Sequence, residues 1–474
     1  MMRSLYSGVS GLKNHQTRMD VVGNNISNVN TTGFKSSRVT FSDTLSQTLS
    51  GASAPTDNLG GTNPKQIGLG SATSAIDTLF TDGSVQSTGV NTDMCLSGNG
   101  LFIVKNGDSV YYTRNGNFKF DSAGYYVNSD GLRVQGWMSD GTGGTINTNG
   151  ATTEICIPSG KSMAATASTI STFSSNLDAS APIITNINYT NAQGQVTQGA
   201  GDVNVDGTNV VSATYTLSDG SSQTVTSGYV RQNRSVPLTS TLTIYDSLGN
   251  AHSIPVLLQK VGGQGGTSNS WEVILANGTN TYNITEADGT QTTIGLTPGT
   301  LQFTSDGAYD ATNSSPGTLN MTMANGAATQ SVTLDYTAMT QYAGSSTAYA
   351  STNGNAAGTL KSVSIDSSGV ITGTYTNGLN VQEAQVAIAQ FNNAAGLTKN
   401  GNSLYVESNN SGTPNVGTIN ALGCTVTPSA LEMSNVDMAS ELTDMIVTQR
   451  GYQSNSKIIT VSDELLDTLI NMKR

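Results

Sequence analysis

"MASELTDMIVTQRGYQSNSKIITVSDELLDTLINMKR", residues 438–474, contains no proline and repeats its larger side chains with a fixed rhythm. Met438, Leu442, Met445, Gln449, Tyr452, Ser456, Ile459, Asp463, Leu466 and Ile470 are spaced alternately by four and three, the heptad seam of a coiled coil. Ser429 is placed to cap a helix, with Glu432 three residues on and Pro428 just outside. The pattern predicts a helix over about 429–472, roughly 65 Å long at about 1.5 Å per residue. That length exceeds a compact domain, so the segment points to an assembled protein.

The other end of the chain has the same character. Prolines are absent before Pro55 and after Pro428, and a proline inside a helix costs about 3 kcal/mol. Leu5, Val9, Leu12, Gln16, Met19, Gly23 and Ile26 again step by four and three, predicting a helix over 1–30 that starts at Ser4 and is stopped by Gly33. At its end, "NNISNVNTTGFK" (24–35) sets Asn24, Ser27, Asn28 and Thr31 on one ridge of uncharged hydrogen-bonding groups. Asparagine is a poor helix former. Such a ridge suits a crowded, partly buried contact, because amides satisfy polar atoms without desolvating a charge. Asparagine also gathers where helices fray into turns, which is the plainer reading. Polar seam residues Gln449, Ser456 and Asp463 need partners that one short N-terminal helix cannot supply throughout. Either the two helices pack on each other as an ordinary core, or they are completed by other copies of the chain.

Between the ends, the texture is short alternating runs broken by Gly, Asn-Gly and Asp-Gly turns. "LFIVKNGDSVYYTRNGNFKFDSAGYYVNSDGLRVQGW" (101–137) reads as a β-meander, and similar runs occur at 240–260, 270–278, 362–378 and 384–409. Residues 179–235 are the richest in Gly, Ser, Thr and Asn and read as an exposed β insertion. The predicted fold class is α+β and multidomain, with terminal coiled-coil helices enclosing nested all-β domains.

Composition narrows the function. Only 11% of the 474 residues are charged, against roughly 25% in typical globular proteins. The net charge of −12 gives no electrostatic footprint for nucleic acid. Residues 159–345 hold four Lys/Arg and eleven Asp/Glu, whereas residues 1–50 hold five basic and two acidic residues, so middle and ends face different surroundings. Cys95, Cys156 and Cys424 are too sparse for a disulfide framework or a zinc site, and no run approaches the ~18 apolar residues of a membrane span. The N-terminus does not read as a cleavable secretory signal. "SGKS" (159–162) lacks the first glycine of a phosphate loop, and "DVNVDG" (202–207) lacks the distal glutamate of a calcium loop, where Ala213 stands. His15 and His252 are the only histidines, and both read as solvated. No catalytic, cofactor-binding or metal-binding residue is expected, and the chain is not expected to be an enzyme.

"SLYSGVSGLKNHQTRMDVVGNNISNVNTTGFK" and residues 430–474 resemble the paired N- and C-terminal signatures of the rod and hook family, the axial proteins of the bacterial flagellum. "VNTDMCLSGNGLFIV", "YYTRNGNFKFDSAGYYVNSDGLRVQGW" and "IAQFNNAAGL" are similar to inner pieces of the same family. Distal rod members lack so long a middle, and "LTSTLTIYDSLGNAHSI" is similar to what hook members carry.

The resemblance implies a domain plan. The inner coiled-coil domain takes 1–30 and 429–474, with linking segments at 31–70 and 411–428. A middle β domain takes 71–155 and 356–410, and an outer β domain takes 156–355. It implies a homopolymer of many copies forming a flexible, curved, hollow tube that carries motor torque from rod to filament. The implied partners are distal rod, hook cap and hook–filament junction proteins and the flagellar type III export apparatus, with no nucleic acid and no membrane insertion. The implied location is the extracellular flagellum, reached without a cleavable signal. The implied assembly residues are Leu5, Val9, Leu12, Met19, Asn24, Ile26 and Asn28 at the N-terminus. At the C-terminus they are Met438, Leu442, Met445, Gln449, Tyr452, Ile459, Leu466 and Ile470. Another flagellar axial protein, or a secreted adhesin or β-rich enzyme, are the alternatives.

Overall fold

The computed structural model describes residues 2–55, 60–140, 145–199, 201–262, 269–276, 278–286 and 289–472. Most of its regular structure is β, with one long α-helix at each end: α1, Met2–Ser27, and α2, Met438–Asn471. The chain divides into two compact units, residues 1–161 with 360–474, and residues 162–359.

In the first unit the meander closes around strand Gly100–Asn106, which pairs with Ser109–Thr113 on one side and with Arg133–Met138 and Ile388–Gln390 on the other. Its residues alternate between two cores. Phe102 and Val104 join Met94, Phe118, Tyr126, Ile371 and Val386, whereas Leu101 and Ile103 join Tyr112, Trp137, Phe391 and Tyr405 on the opposite face. This accounts for the unbroken apolar run "LFIV", since a strand covered on both faces has no polar side to show. Late strands complete early ones: Thr425–Pro428 pairs with Met94–Ser97, and Ala430–Glu432 with Val85–Ser87. Two successive ribbons carry the chain out from α1 and back: Ser37–Asp43 with Ser71–Thr78, and Ser46–Ser50 with Lys65–Gly68.

In the second unit two sheets share one core. Leu238–Tyr245, Ala251–Lys260 and Ser270–Leu275 form an antiparallel sheet. Its inward residues Leu242, Ile244, Ile254, Val256, Trp271 and Val273 meet Phe173, Ile294, Leu319, Val332, Leu334 and Tyr336 of the other sheet. That second sheet contains a parallel pair, Ile170–Asp178 with Gln330–Tyr342. Residues 184–230 form a lobe with a four-stranded sheet and a separate apolar cluster of Ile184, Ile187, Val203, Val205, Ala213, Tyr215, Leu217 and Val230. Strand "VVSATYTL" (210–217) buries alternate residues, so a polar segment poor in aromatics still builds a small core.

The structure corrects the predicted helix ends. α2 begins at Met438 behind an Asp437 cap whose carboxylate accepts from the Ala439 and Ser440 amides, nine residues beyond Ser429. Ser429 has φ +55° next to strand Ala430–Glu432, and the Glu432 side chain is buried elsewhere instead of closing a capping box. α1 already runs through Ser4 and stops at Ser27. Gly33 does adopt a left-handed φ of +65°, but its amide donates to the Glu432 carbonyl, and a β-carbon there would lie 2.6 Å from the Asn115 nitrogen. Close passage of three chain segments fixes it as glycine, in addition to the turn.

Candidate assembly surface

α1 and α2 run antiparallel, and small and polar residues make much of their contact, with Ile458 and Ile459 against Gly8. A β-carbon added to Gly11 would lie 2.8 Å from the Asn455 amide, and one added to Gly451 would lie 2.5 Å from the His15 ring. Glycine costs about 1 kcal/mol in a helix relative to alanine, and here it lets the two backbones approach. Arg18 pairs with Asp444 at 3.0 Å, and the Asn25 amide donates to Glu441 at 2.9 Å. Thr448 and Ser462 are the buried residues of α2.

The α1 residues making this contact, Gly8, Gly11, His15, Arg18 and Asn25, each precede one member of the sequence-predicted seam by a single position. On α2, buried Thr448 and Ser462 likewise precede seam positions Gln449 and Asp463, both of which are exposed. One residue is about 100° around a helix at 3.6 residues per turn. The apolar rhythm therefore runs along the edge of the contact: Ile458 and Ile459 reach Gly8 of α1, and the other seam side chains are only partly covered by the helix pair. Leu5, Leu12, Met19, Ile26, Asn28, Met445, Ile459 and Leu466 are half-buried, while Val9, Asn24, Met438, Leu442, Tyr452 and Ile470 are exposed. Ile446, Val447, Ile458, Val461, Leu465 and Leu469 extend the exposed apolar surface. A contact in which glycine, asparagine and charge carry much of the pairing leaves many leucines and isoleucines of α2 exposed. Exposed apolar side chains gathered along one helix mark an interaction site.

The amide cluster divides into two roles. Asn25, which lies outside the predicted ridge, is the buried member. Its amide donates to the Ser37 carbonyl at 2.9 Å as well as to Glu441, and its oxygen accepts from the Ser37 amide. Ser27 donates to the Gly23 carbonyl, Asn28 to that of Asn24, and Thr31 to the Asn28 side chain, so these three secure the frayed helix end. Glu441 is held above its ordinary value by burial, against the Asn25 hydrogen bond that lowers it.

Beneath the root of the helix pair lies a set of buried charges that carries no local sequence signal. Lys35 and Arg114 are fully buried, as is Glu432. The Lys35 ammonium lies 2.6 Å from Glu432 Oε1 and donates to the Thr81 carbonyl, while Arg114 Nε lies 3.2 Å from Oε2. The Arg114 fork also reaches Asp82 at 2.5 Å and the Gly100 carbonyl. Burial, then the nearby Arg114, pull the Lys35 pKa down against the attraction of Glu432.

Short motifs find structural roles. Lys161 of "SGKS" is paired with Glu383. In "DVNVDG", Asp206 accepts from the amides of Thr208, Asn209 and Val210, and Asp202 holds Arg231. His252 is not solvated as expected but buried between Asp246 and Glu286, and His15 is half-buried against Gly451. Among the described residues, no group of three His, Cys, Asp or Glu is placed to hold a metal, and no helix is long and apolar enough to cross a membrane.

Family models match along the chain in order. Residues 5–35 match "Flagella basal body rod protein" and 95–173 match "Flagellar hook protein FlgE/F/G D1 domain". Residues 217–355 match "Flagellar basal body protein FlaE D2 domain", and 427–472 match "Flagellar basal body rod FlgEFG protein C-terminal". The chain is 40% identical to the flagellar hook protein FlgE of Borreliella burgdorferi and 37% identical to that of Treponema pallidum, in each case over all of both chains. It is 51% identical to the flagellar basal-body rod protein FlgG of Bacillus subtilis, but over 33% of this chain and 54% of the rod protein.

Proposed function

The chain belongs to the flagellar hook protein family, and from that premise we propose that it is the structural subunit of the hook, polymerising into a flexible, curved, hollow tube that transmits motor torque from rod to filament. The family is structural and not enzymatic, and the molecule's location is the flagellum. The observation that carries the assembly reading is the partly uncovered apolar stripe on α1 and α2. Glycine and polar residues, with Ile458 and Ile459 against Gly8, hold the two helices together, while Leu442, Ile446, Leu465, Leu469 and Ile470 remain exposed.

In this reading other copies cover the stripe. The predicted seam residues Leu5, Val9, Leu12, Met19 and Ile26 act with Met438, Leu442, Met445, Tyr452, Ile459, Leu466 and Ile470 in contacts between subunits. The helices form the tube's inner wall, and the β units lie outside it. Polar, weakly charged outer surfaces allow neighbours to exchange shallow contacts as the tube bends. Distal rod, cap and junction proteins meet the two ends of the polymer, and the flagellar export apparatus delivers the chain.

Arg450 and Lys457 are exposed trypsin sites on α2. In dilute monomer both are expected to be cut, and in the polymer both are expected to be protected. A tubular polymer whose α2 remains cleavable at Arg450 would remove the helices from the interface.

A further inference from the structure

Glu432 is the carboxylate on which two buried cations from distant parts of the chain converge. Lys35 is 397 residues away in sequence and sits fully buried 2.6 Å from it. Arg114, also buried, shares the same carboxylate. The Gly83 amide donates to Glu432 as well, at 2.8 Å. Around this point the late segment threads between early ones. The Met433 amide donates to the Ser84 carbonyl and the Asn435 side chain to those of Leu79 and Thr81, while Asn435 Oδ1 accepts from the Ser36 amide. A β-carbon on Gly83 would lie 2.0 Å from the Met433 carbonyl oxygen, so the two strands pass in direct contact.

Without Glu432 the two cations fare differently. Arg114 retains Asp82, which is half-exposed, and the Gly100 carbonyl. Lys35 retains one hydrogen bond, to the neutral Thr81 carbonyl, and only the weaker attraction of half-exposed Asp82. A buried charge without its counter-ion is far more costly than the intact pair is favourable. A closed state of residues 33–116 therefore depends on a carboxylate more than 300 residues further along the chain.

We propose that Glu432, with the segment 425–435 that carries it, is a folding gate: the early part of the first unit closes only when this late segment arrives. The strands at 94–113 carry apolar residues enough to collapse, but Lys35 and Arg114 are buried in the same unit, and beyond half-exposed Asp82 it is one late residue that supplies the buried counter-ion they share. An incomplete chain is thereby kept open. The inference is independent of the assembly role given to the helix stripe.

Two measurements on the full-length chain test it. In pulse-labelled hydrogen exchange during refolding, the Phe102 and Tyr112 amides should gain protection in the same kinetic phase as those of Val426 and Leu431. Earlier protection of Phe102 and Tyr112 would overturn the gate. In the native state, Glu432→Gln should speed exchange at 79–116 by about 100-fold, with strands Leu238–Tyr245, Ala251–Lys260 and Ser270–Leu275 of the second unit as an unchanged internal reference. The compensating pair Lys35→Met with Glu432→Leu, which removes both charges of the closest contact, should restore most of that protection. Wild-type exchange in Glu432→Gln, or no restoration in the double variant, would show that shape and not charge pairing closes the unit.

Discussion

Leu442 lies on α2 and is 45% exposed in the single chain, so substitution there separates assembly from folding. Full burial of a leucine side chain is worth about 1.5–3 kcal/mol, so covering the remaining exposed half contributes roughly 1 kcal/mol per subunit. Leu442→Ala should raise the critical concentration for polymerisation by about fivefold, since roughly 1.4 kcal/mol corresponds to a factor of ten. Leu442→Asp additionally places an unpaired carboxylate in the covered stripe, at about 3–5 kcal/mol. It should raise the critical concentration by at least about 100-fold. In the monomer the other half of the side chain is already covered, so the melting transition should move by only about 1 kcal/mol. Sedimentation of polymer across a concentration series gives the first quantity, and thermal melting of dilute monomer gives the second. Wild-type polymerisation by Leu442→Asp would refute the reasoning. So would a loss of polymer matched by an equal loss of monomer stability, because the effect would then lie in folding.

Thr448 is buried between the helices, and its hydroxyl has no hydrogen-bond partner among the described residues. Thr448→Val keeps its shape and should stabilise the monomer by about 1 kcal/mol; a drop in its melting temperature would mean that the hydroxyl is satisfied. Glu441 has a raised pKa, chiefly through burial, so its contribution is fully present below the ordinary carboxylate range and is lost as pH rises through the folded value. Glu441→Gln should accordingly make the helix pair more resistant to melting at pH 7 and little different at pH 4, and the opposite ordering by circular dichroism would reverse this sign. Asp246 is pushed up by burial, but hydrogen bonds from Asn250 and Asn325 and the contact with His252 hold it down to about 2. Its contribution is present above the unfolded carboxylate range and disappears as pH falls toward 2. In a Trp137→Phe background, buried Trp271 reports on the second unit, and Asp246→Asn should weaken its unfolding at pH 7 and flatten its acid dependence; an unchanged acid midpoint would assign that dependence to other groups.

The sequence by itself determined the periodicities. Proline-free ends with a four-three rhythm gave helices at both termini, and the alternating runs broken by Asn-Gly and Asp-Gly gave the β middle, because secondary structure follows local spacing. It also held enough pattern to relate the ends to a known family. It did not reveal which stripe of each helix faces the other. Heptad reading follows large apolar residues, whereas the intramolecular contact uses Gly11, Gly451, Thr448 and Asn25, whose importance comes from closeness and not from hydrophobicity. The costly glycines at 8, 11 and 451 within helical runs were the available signal. The start of α2 was misplaced because Ser429, Pro428 and Glu432 compose a valid local cap, and tertiary pairing of 425–432 with 85–97 overrode it. His252 looked solvated for a similar reason, since a turn-like neighbourhood does not disclose that Asp246 and Glu286 enclose the ring. Least legible was the buried set of Lys35, Arg114 and Glu432. Each is an isolated charge in an ordinary surrounding, and a pairing across 397 residues has no local period to betray it. Only the folded chain, which brings its two ends to one point, makes those three residues a single feature.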